Sequence, residues 1–310
     1  MKSILLGLGN VGLNYDYNLR NVIYTHAKAL FKNKKLDFLY AIDKSKQQRN
    51  KFKNRYNIKI KTGIDDINLD EKIKLAIIST TTDSHLEILK KLVKFKSIKL
   101  VLIEKPCGKN LRELKSIYKI CKRNNIMIYI NYSRLYDNNY KNCSYYFSKL
   151  QDFKGVAYYS RGLRNNCSHI LGLLSTLNLK NIRINILKHG KNPDFKITFT
   201  KGELYFLNST RKNISNNEIE IIDKNYKIIS KNELNKFQIF KIKKEKLINN
   251  NFTYVKLDTI KFDTIKPQNN VLNKIILREK KNNNFVKKVS YDVSNILDKI
   301  IFRASTNKIK

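Results

Sequence analysis

The chain predicts two domains: an α/β domain over residues 1–125 with a parallel sheet between helices, and an α+β domain over residues 126–310 on a mostly antiparallel open sheet. Three observations carry this. The first 130 residues alternate short β-rich apolar runs with longer helical patterns. After that, strand-like pieces follow one another without intervening helices, as antiparallel sheets require. And 310 residues with 42% apolar content are enough for two domains with real cores.

Taken in order, Ser3–Leu6, Asp37–Ile42, Lys74–Ile78, Leu100–Ile103 and Ile126–Ile130 read as buried strands, each a short apolar run bounded by polar residues. Leu86, Ile88, Leu89, Leu92 and Val93 recur at helical spacing, as do Leu111, Leu114, Ile117, Tyr118 and Cys121. Ser84 stands where the first of these helices should begin and is placed to cap it. In the second domain a helix is expected over His169–Leu177. Strands are expected over Ile182–Leu187, Phe195–Phe199, Glu203–Leu207, Glu218–Ile222 and Phe237–Ile242. Val289–Ile301, with Val293, Ile296, Leu297 and Ile300 on one face, predicts a final helix. Lys244–Asn251 is so rich in Lys and Asn that it reads as a surface loop.

Composition excludes several classes. No run of about eighteen apolar residues exists, which argues against a membrane-spanning helix. Met1–Leu8 lacks the apolar core and cleavage site of a signal peptide. Cys107, Cys121, Cys143 and Cys167 form no C-x-x-C pair, so neither a disulfide framework nor a zinc site is expected, and a reducing cytoplasm is the default. The 63 Lys and Arg against 25 Asp and Glu leave a net charge of +38. A clustered basic arm would point to nucleic acid, but this excess runs from Lys2 to Lys310. With only 10 Gly, 3 Pro and no Trp, it is what an A/T-rich coding sequence writes. What remains is a weaker inference: the positive field favours anionic small substrates.

Gly7-Leu8-Gly9-Asn10-Val11-Gly12 follows the first strand directly and matches G-x-G-x-x-G in a Rossmann-type context. Gly7 permits the tight turn, Gly9 keeps a side chain away from a pyrophosphate, and Gly12 allows close packing. Backbone N–H groups near Asn10 and Val11 are then placed to hold phosphate oxygens. The second strand ends in Asp43, where a carboxylate accepts both hydroxyls of an adenosine ribose; the other reading is a solvated residue or a cap for the helix from Ser45 onward. Lys44 and Lys46 keep NADP open, and Asp43 favours NAD. Asp43 lies 31 residues after Gly12, farther than the fingerprint requires. The excess falls in the Tyr/Asn/Asp-rich stretch Leu13–Asn21, read as an insertion before a helix carrying Tyr24, Ala27 and Leu30. That insertion would weaken any helix-dipole contribution and offers Tyr15 or Tyr17 to the cofactor.

Four further stretches resemble one family in order along the chain. Ser79-Thr80-Thr81-Thr82-Asp83-Ser84-His85 is similar to A-T-P-x-x-x-H, followed by Glu104-Lys105-Pro106. Asn131-Tyr132-Ser133-Arg134 is similar to N-x-x-R, and Asn165-Asn166-Cys167-Ser168-His169 to D-x-G-x-H. With the glycine loop, they resemble the glucose–fructose oxidoreductase/inositol dehydrogenase (Gfo/Idh/MocA) family. The resemblance implies a dinucleotide domain, a sheet-bearing substrate domain through which the chain forms dimers or tetramers, and hydride exchange between a nicotinamide cofactor and a sugar hydroxyl or ketone. Lys105 and His169 are then the catalytic pair, converging from separate domains on one carbinol. Asn165 and Arg134, with Lys105, are expected to bind substrate. Thr80, His85 and Glu104 join Gly7, Gly9, Asn10, Val11, Gly12 and Asp43 around NAD, and no metal is expected. For His85 a capping or structural role is equally open, and His26 and His189 read as structural or surface residues.

The chemistry fits these types. Oxidising a secondary alcohol removes a hydride and a proton from one carbinol. An imidazole takes the proton near neutral pH, and an ammonium steadies the developing alkoxide. Only three prolines occur, and Pro106 is expected to follow a cis bond that projects Lys105 toward the crevice.

The chain also departs from the pattern. The expected aspartate is Asn165, which supplies a hydrogen bond but no charge, and the expected glycine is Cys167. A slower enzyme, a lysine-led mechanism and a dinucleotide-binding protein without catalysis all follow from that. The charge favours a phosphorylated or nucleotide-linked sugar. A nucleic-acid-binding module is the remaining rival.

Overall fold

The computed structural model describes residues 1–179, 181–209, 216–231, 233–244 and 252–306. They form two compact units: Met1–Tyr136 with Thr264–Tyr291, and Asp137–Asp263 with Asp292–Lys310.

The first unit holds a six-stranded parallel sheet: β1 (Lys2–Leu6), β2 (Asp37–Ile42), β3 (Lys59–Lys61), β4 (Leu75–Ile78), β5 (Leu100–Ile103) and β6 (Met127–Ile130), in the order β3-β2-β1-β4-β5-β6. Every residue of β4 and β5 is buried, as expected for central strands covered on both faces. The order reverses between β1 and β4, which is where open parallel sheets bind ligands beyond their strand ends. The five expected strands are present. β3 went unread because Lys-Ile-Lys carries one apolar residue at a sheet edge.

Helices α1 (His26–Lys32), α2 (Lys46–Lys53), α3 (His85–Leu92) and α4 (Leu111–Arg123) lie between the strands in sequence. Local chemistry sets their ends. The Asn110 side chain accepts from Glu113 N (2.9 Å) to open α4, and Glu113 Oε2 accepts from Lys109 N (2.6 Å). Leu114, Ile117, Tyr118 and Cys121 make its buried stripe. Ser84 occupies the N-cap position of α3, yet its hydroxyl turns to Thr80 Oγ1 and to the Thr81 carbonyl, both at 2.8 Å.

The second unit holds an eight-stranded sheet in the order β14-β13-β12-β11-β7-β10-β9-β8. Its strands are β7 (Phe153–Tyr159), β8 (Arg183–Lys188), β9 (Asp194–Phe199), β10 (Gly202–Asn208), β11 (Glu218–Ile222), β12 (Tyr226–Lys231), β13 (Lys236–Lys244) and β14 (Phe252–Lys261). Among the described residues of this sheet, only β7 and β10 pair in parallel. Helix α5 (Tyr140–Lys149) precedes this sheet, and α6 (Ser168–Leu173) follows β7 and tightens into a 3₁₀ turn over Leu174–Leu177. Of the loop expected over Lys244–Asn251, Lys244 instead ends β13, and residues 245–251 lie outside the described residues.

After β14, α7 (Pro267–Ile276) returns to the first unit, and α8 (Lys280–Thr306) counts in the first unit to Tyr291 and in the second from Asp292. It is much longer than the Val289–Ile301 helix its apolar face predicts. Among the described residues no helix is long and apolar enough to cross a membrane.

Candidate functional site

In the first unit the glycine loop leaves the C-terminal end of β1 at the point where the strand order reverses. Gly7 has φ +95°, and a Cβ there would lie 2.7 Å from Thr80 N. A Cβ on Gly12 would lie 2.2 Å from the Gly7 carbonyl oxygen, so this residue is glycine because the turn closes on itself. Gly9 differs: it is exposed, and a Cβ on it would meet nothing within 4 Å. Packing therefore does not explain its missing side chain, and the bare backbone leaves room for a phosphate to approach.

The stretch after the loop is ordered in its own way. Asn10–Asn14 forms one wide π-helical turn, with Asn14 N donating to Gly9 O (3.1 Å) and Tyr15 N to Asn10 O (3.0 Å). Buried Asp16 then accepts from Tyr24 N (2.7 Å), Thr25 N (3.1 Å) and Thr25 Oγ1 (2.7 Å), fastening the insertion to the start of α1, whose N-cap is Thr25. Tyr17 gives its hydroxyl to the Lys51 carbonyl (3.0 Å) on α2, with Lys51 Nζ 4.6 Å from its ring centroid. Tyr15 is exposed.

Asp43, just past β2, accepts from Leu8 N through Oδ2 (2.6 Å) and from Ser45 N through Oδ1 (2.8 Å). Its carboxylate is thus tied to the glycine loop itself, while Ser45 caps α2 by accepting from Gln48 N (3.4 Å). The bond to Ser45 N places the Asp43 carboxylate at the start of α2, although Ser45 itself is the N-cap. The insertion lengthens the chain between Gly12 and Asp43 without separating the carboxylate from the loop.

Thr80 and His85 bracket the turn after β4. The His85 ring is buried, with Nε2 3.1 Å from the Thr80 carbonyl and Nδ1 3.1 Å from the Cys107 carbonyl. It ties the turn after β4 to the turn after β5, and both ring nitrogens face backbone, so its structural reading accounts for them.

Beyond β5, Glu104 sits in a cluster whose members His26 and Gln268 the sequence did not point to. Glu104 Oε1 sits 2.7 Å from His26 Nε2, and Asn131 Nδ2 donates to the same oxygen and to Gln268 Oε1 (3.1 Å). All four side chains are buried. Burial pushes the Glu104 carboxyl up, but the His26 hydrogen bond and charge, Asn131 and the Lys105 ammonium together hold it below its ordinary value. His26, read as structural or surface, is a buried hydrogen-bond partner of Glu104, 78 residues away in sequence. The signal that could have found it is the apolar neighbourhood Ala27, Ala29 and Leu30 on a helix packed against the sheet.

Lys105 follows, half-buried, ahead of Pro106, and the bond between them is cis as expected. Desolvation brings its ammonium down to about 8, against the pull of Glu104, and the Arg134 charge lowers it further. Glu104, Lys105 and Arg134, expected from the sequence, therefore lie together beyond the ends of β5 and β6, with Asn131 among them.

In the second unit a π-helical turn, Leu163–Cys167, leads into α6. Asn165 is exposed and donates from Nδ2 to the Arg161 carbonyl (3.3 Å), and Ser168 Oγ donates to the Asn165 carbonyl (3.0 Å). His169 is half-buried on the first turn of α6. Cys167 is buried, and burial pushes its thiol up, so it has no nucleophile character. Beside this turn lies a pocket of about 850 Å³, lined in part by Arg161, Arg164, Asn165, Lys191 and Asn192. Among the described residues no group of His, Cys, Asp and Glu could hold a metal ion.

Comparison with known proteins agrees with this fold. A model of an oxidoreductase family with an NAD-binding Rossmann fold (GFO_IDH_MocA) matches residues 6–132. Among solved structures, the chain is similar to a dehydrogenase (MviM) from Clostridium difficile, at 16% identity and TM-score 0.71 over 98% of this chain and 99% of that one. A Gfo/Idh/MocA family oxidoreductase from Vibrio cholerae gives 11% identity and TM-score 0.71, covering 100% of both chains. An NAD-binding protein from Listeria innocua gives 15% identity and TM-score 0.72, over 99% and 95%. At these identities the likeness speaks for the fold. No curated protein sequence matches the chain.

Proposed function

From the premise that this chain, by its residues 6–132, is a member of the Gfo/Idh/MocA oxidoreductases with their NAD-binding Rossmann domain, we propose that it interconverts a hydroxyl and a ketone on a sugar or cyclitol. The observation that carries this is the cradle at Gly9. The loop is glycine there with nothing to pack against, and the Asp43 carboxylate is bonded to the same loop at Leu8.

Bound NAD would supply the hydride acceptor or donor; the rest falls to side chains. The loop N–H groups near Asn10 and Val11 hold the pyrophosphate, and Asp43 takes the ribose hydroxyls. Lys105 donates a hydrogen bond to the carbinol oxygen and steadies its charge as it becomes an alkoxide. With its ammonium near 8, it also releases and regains a proton close to working pH. His169 takes the carbinol proton, Asn165 orients the substrate by hydrogen bonding, and Arg134 holds a substrate oxygen near Lys105. The sheet of the second unit presents Val156, Tyr158, Tyr205 and Ile222 with part of their surface exposed, which supports self-association through that face. Four separately buried thiols support a reducing, cytoplasmic setting.

The test is nicotinamide fluorescence on mixing with NADH, followed by turnover over a panel of free, phosphorylated and nucleotide-linked sugars with wild type, K105M and H169A. Turnover lost in both variants while NADH still binds is the expected result. Asn165 favours a second reading, a dinucleotide-holding protein without catalysis; NADH binding with no turnover of any sugar would select it.

A further inference from the structure

The pocket beside α6 differs in charge from a general sugar cleft. No carboxylate lines it among the described residues, while Arg161, Arg164 and Lys191 do. In a chain this rich in lysine, cations near any opening are expected, so the type of cation matters. Only 12 of the 63 basic residues are arginine, and two of them stand three positions apart on this wall. Arginine presents a planar fork of donors that matches two phosphate oxygens at once; lysine offers a point charge.

The wall is also built in place. Arg161 holds a left-handed backbone (φ 56°), uncommon for a side chain of its size, and its carbonyl accepts from Asn165 Nδ2. Arg164 gives one nitrogen to Asp298 on α8 (2.8 Å), which fixes the guanidinium and leaves further N–H donors on it. Leu163 N donates to Asn192 Oδ1 (3.2 Å), and His189 Nδ1 bonds the Ala304 carbonyl (3.1 Å), so the loop carrying Lys191 and Asn192 is fastened both to the turn and to α8. Among the described residues neither Arg161 nor Lys191 pairs with a carboxylate.

We propose that this pocket is a phosphoryl-binding subsite, in which Arg161 and Arg164 grip the phosphate or pyrophosphate of a sugar phosphate or nucleotide sugar. The proposal rests on the oxidoreductase reading and deepens it by naming the substrate class. It also gives Asn165 a reason. An aspartate there would put a negative charge on the pocket wall beside an anionic ligand, whereas the amide offers a hydrogen bond without repulsion. The departure from the family pattern is then an adaptation of the substrate site.

The experiment is calorimetric titration of inorganic pyrophosphate into the full chain at about 0.15 M salt, where diffuse surface charge is largely screened. Saturating NADH is present so that the glycine loop is occupied. Wild type is compared with R161A, N165D and K224A, the last an exposed lysine outside the pocket. The expected result is one saturable site, weakened about tenfold or more in R161A, as for loss of charge-assisted hydrogen bonds, weakened in N165D and unchanged in K224A. Absence of a saturable site, or equal effects of R161A and K224A, overturns the proposal. Turnover of a neutral sugar without pyrophosphate binding would sink the subsite and keep the oxidoreductase. Pyrophosphate binding at Arg161 with no turnover of any sugar would do the reverse.

Discussion

Removing His26 takes one side-chain hydrogen bond from the buried Glu104 carboxylate and leaves the Asn131 amide donating to it, in a fold that holds it ionised. Breaking one side of a buried pair costs about 3–5 kcal/mol, far more than an exposed ion pair contributes. H26A should therefore lower the stability of the first unit by that amount. E104Q, which removes the charge and keeps a hydrogen-bonding oxygen, should cost less. In a cycle of H26A, E104A and the double variant, the contact at 2.7 Å should appear as a coupling of about 1–3 kcal/mol. Urea unfolding reads this out. The transition belonging to the first unit is the one that NADH moves to higher denaturant, because ligand binding stabilises only the part that binds it. The pH dependence has a definite sign. The folded carboxyl lies below its ordinary 4.5, so on acidification the unfolded chain takes up this proton first. The advantage over E104Q is complete above pH 4.5 and is lost as the pH falls through the folded value. A cost below about 1 kcal/mol for H26A, or strict additivity of the two single changes, would refute the reasoning.

Gly9→Ala should leave the urea midpoint unchanged, since its Cβ meets nothing within 4 Å, yet weaken NADH binding at least about tenfold; Gly12→Ala, clashing at 2.2 Å, should cost about 1–3 kcal/mol of stability. Equal stability losses in the two would remove the argument for a cradle. Lys105 is held at about 8 in the fold against 10.5 when unfolded, so between those values the unfolded chain binds the extra proton and stability rises with pH. Relative to K105M, wild type should gain up to about 3 kcal/mol from pH 8 to 10.5, and its turnover should fall over the same range as the donor is lost; a flat difference would refute the depressed ammonium. The four thiols are buried, with Cys121 pushed up to about 12, so a thiol reagent should modify none of them in the native protein and all four in urea. Rapid labelling of any one in the native state would contradict that burial.

What could be read from residues alone was what neighbouring residues determine. β2 and β5 were legible to the residue, because a run such as Leu-Val-Leu-Ile between polar residues has one buried solution. The glycine loop was legible because its three glycines carry separate local demands. Strands with weak local signals were not: β3 has a single apolar residue, and β7, interrupted by Gly155, is held by neighbours on both sides. The start of α8, Lys-Lys-Asn-Asn-Asn, is poor in helix formers, and the apolar face that marks a helix begins only farther along.

The linear order of residues by itself determined the parallel sheet, the phosphate loop and the chemical types gathered near Lys105. Only the tertiary structure decided which of them touch. The Glu104 partner lies 78 positions away, Asp43 reaches back across the insertion to Leu8, and Arg164 finds Asp298 from the far end of the chain. Hydrophobic periodicity reports which face of an element is buried and is silent on what meets it. Electrostatic pairing depends on distances of a few ångströms, and those exist only once the chain has folded.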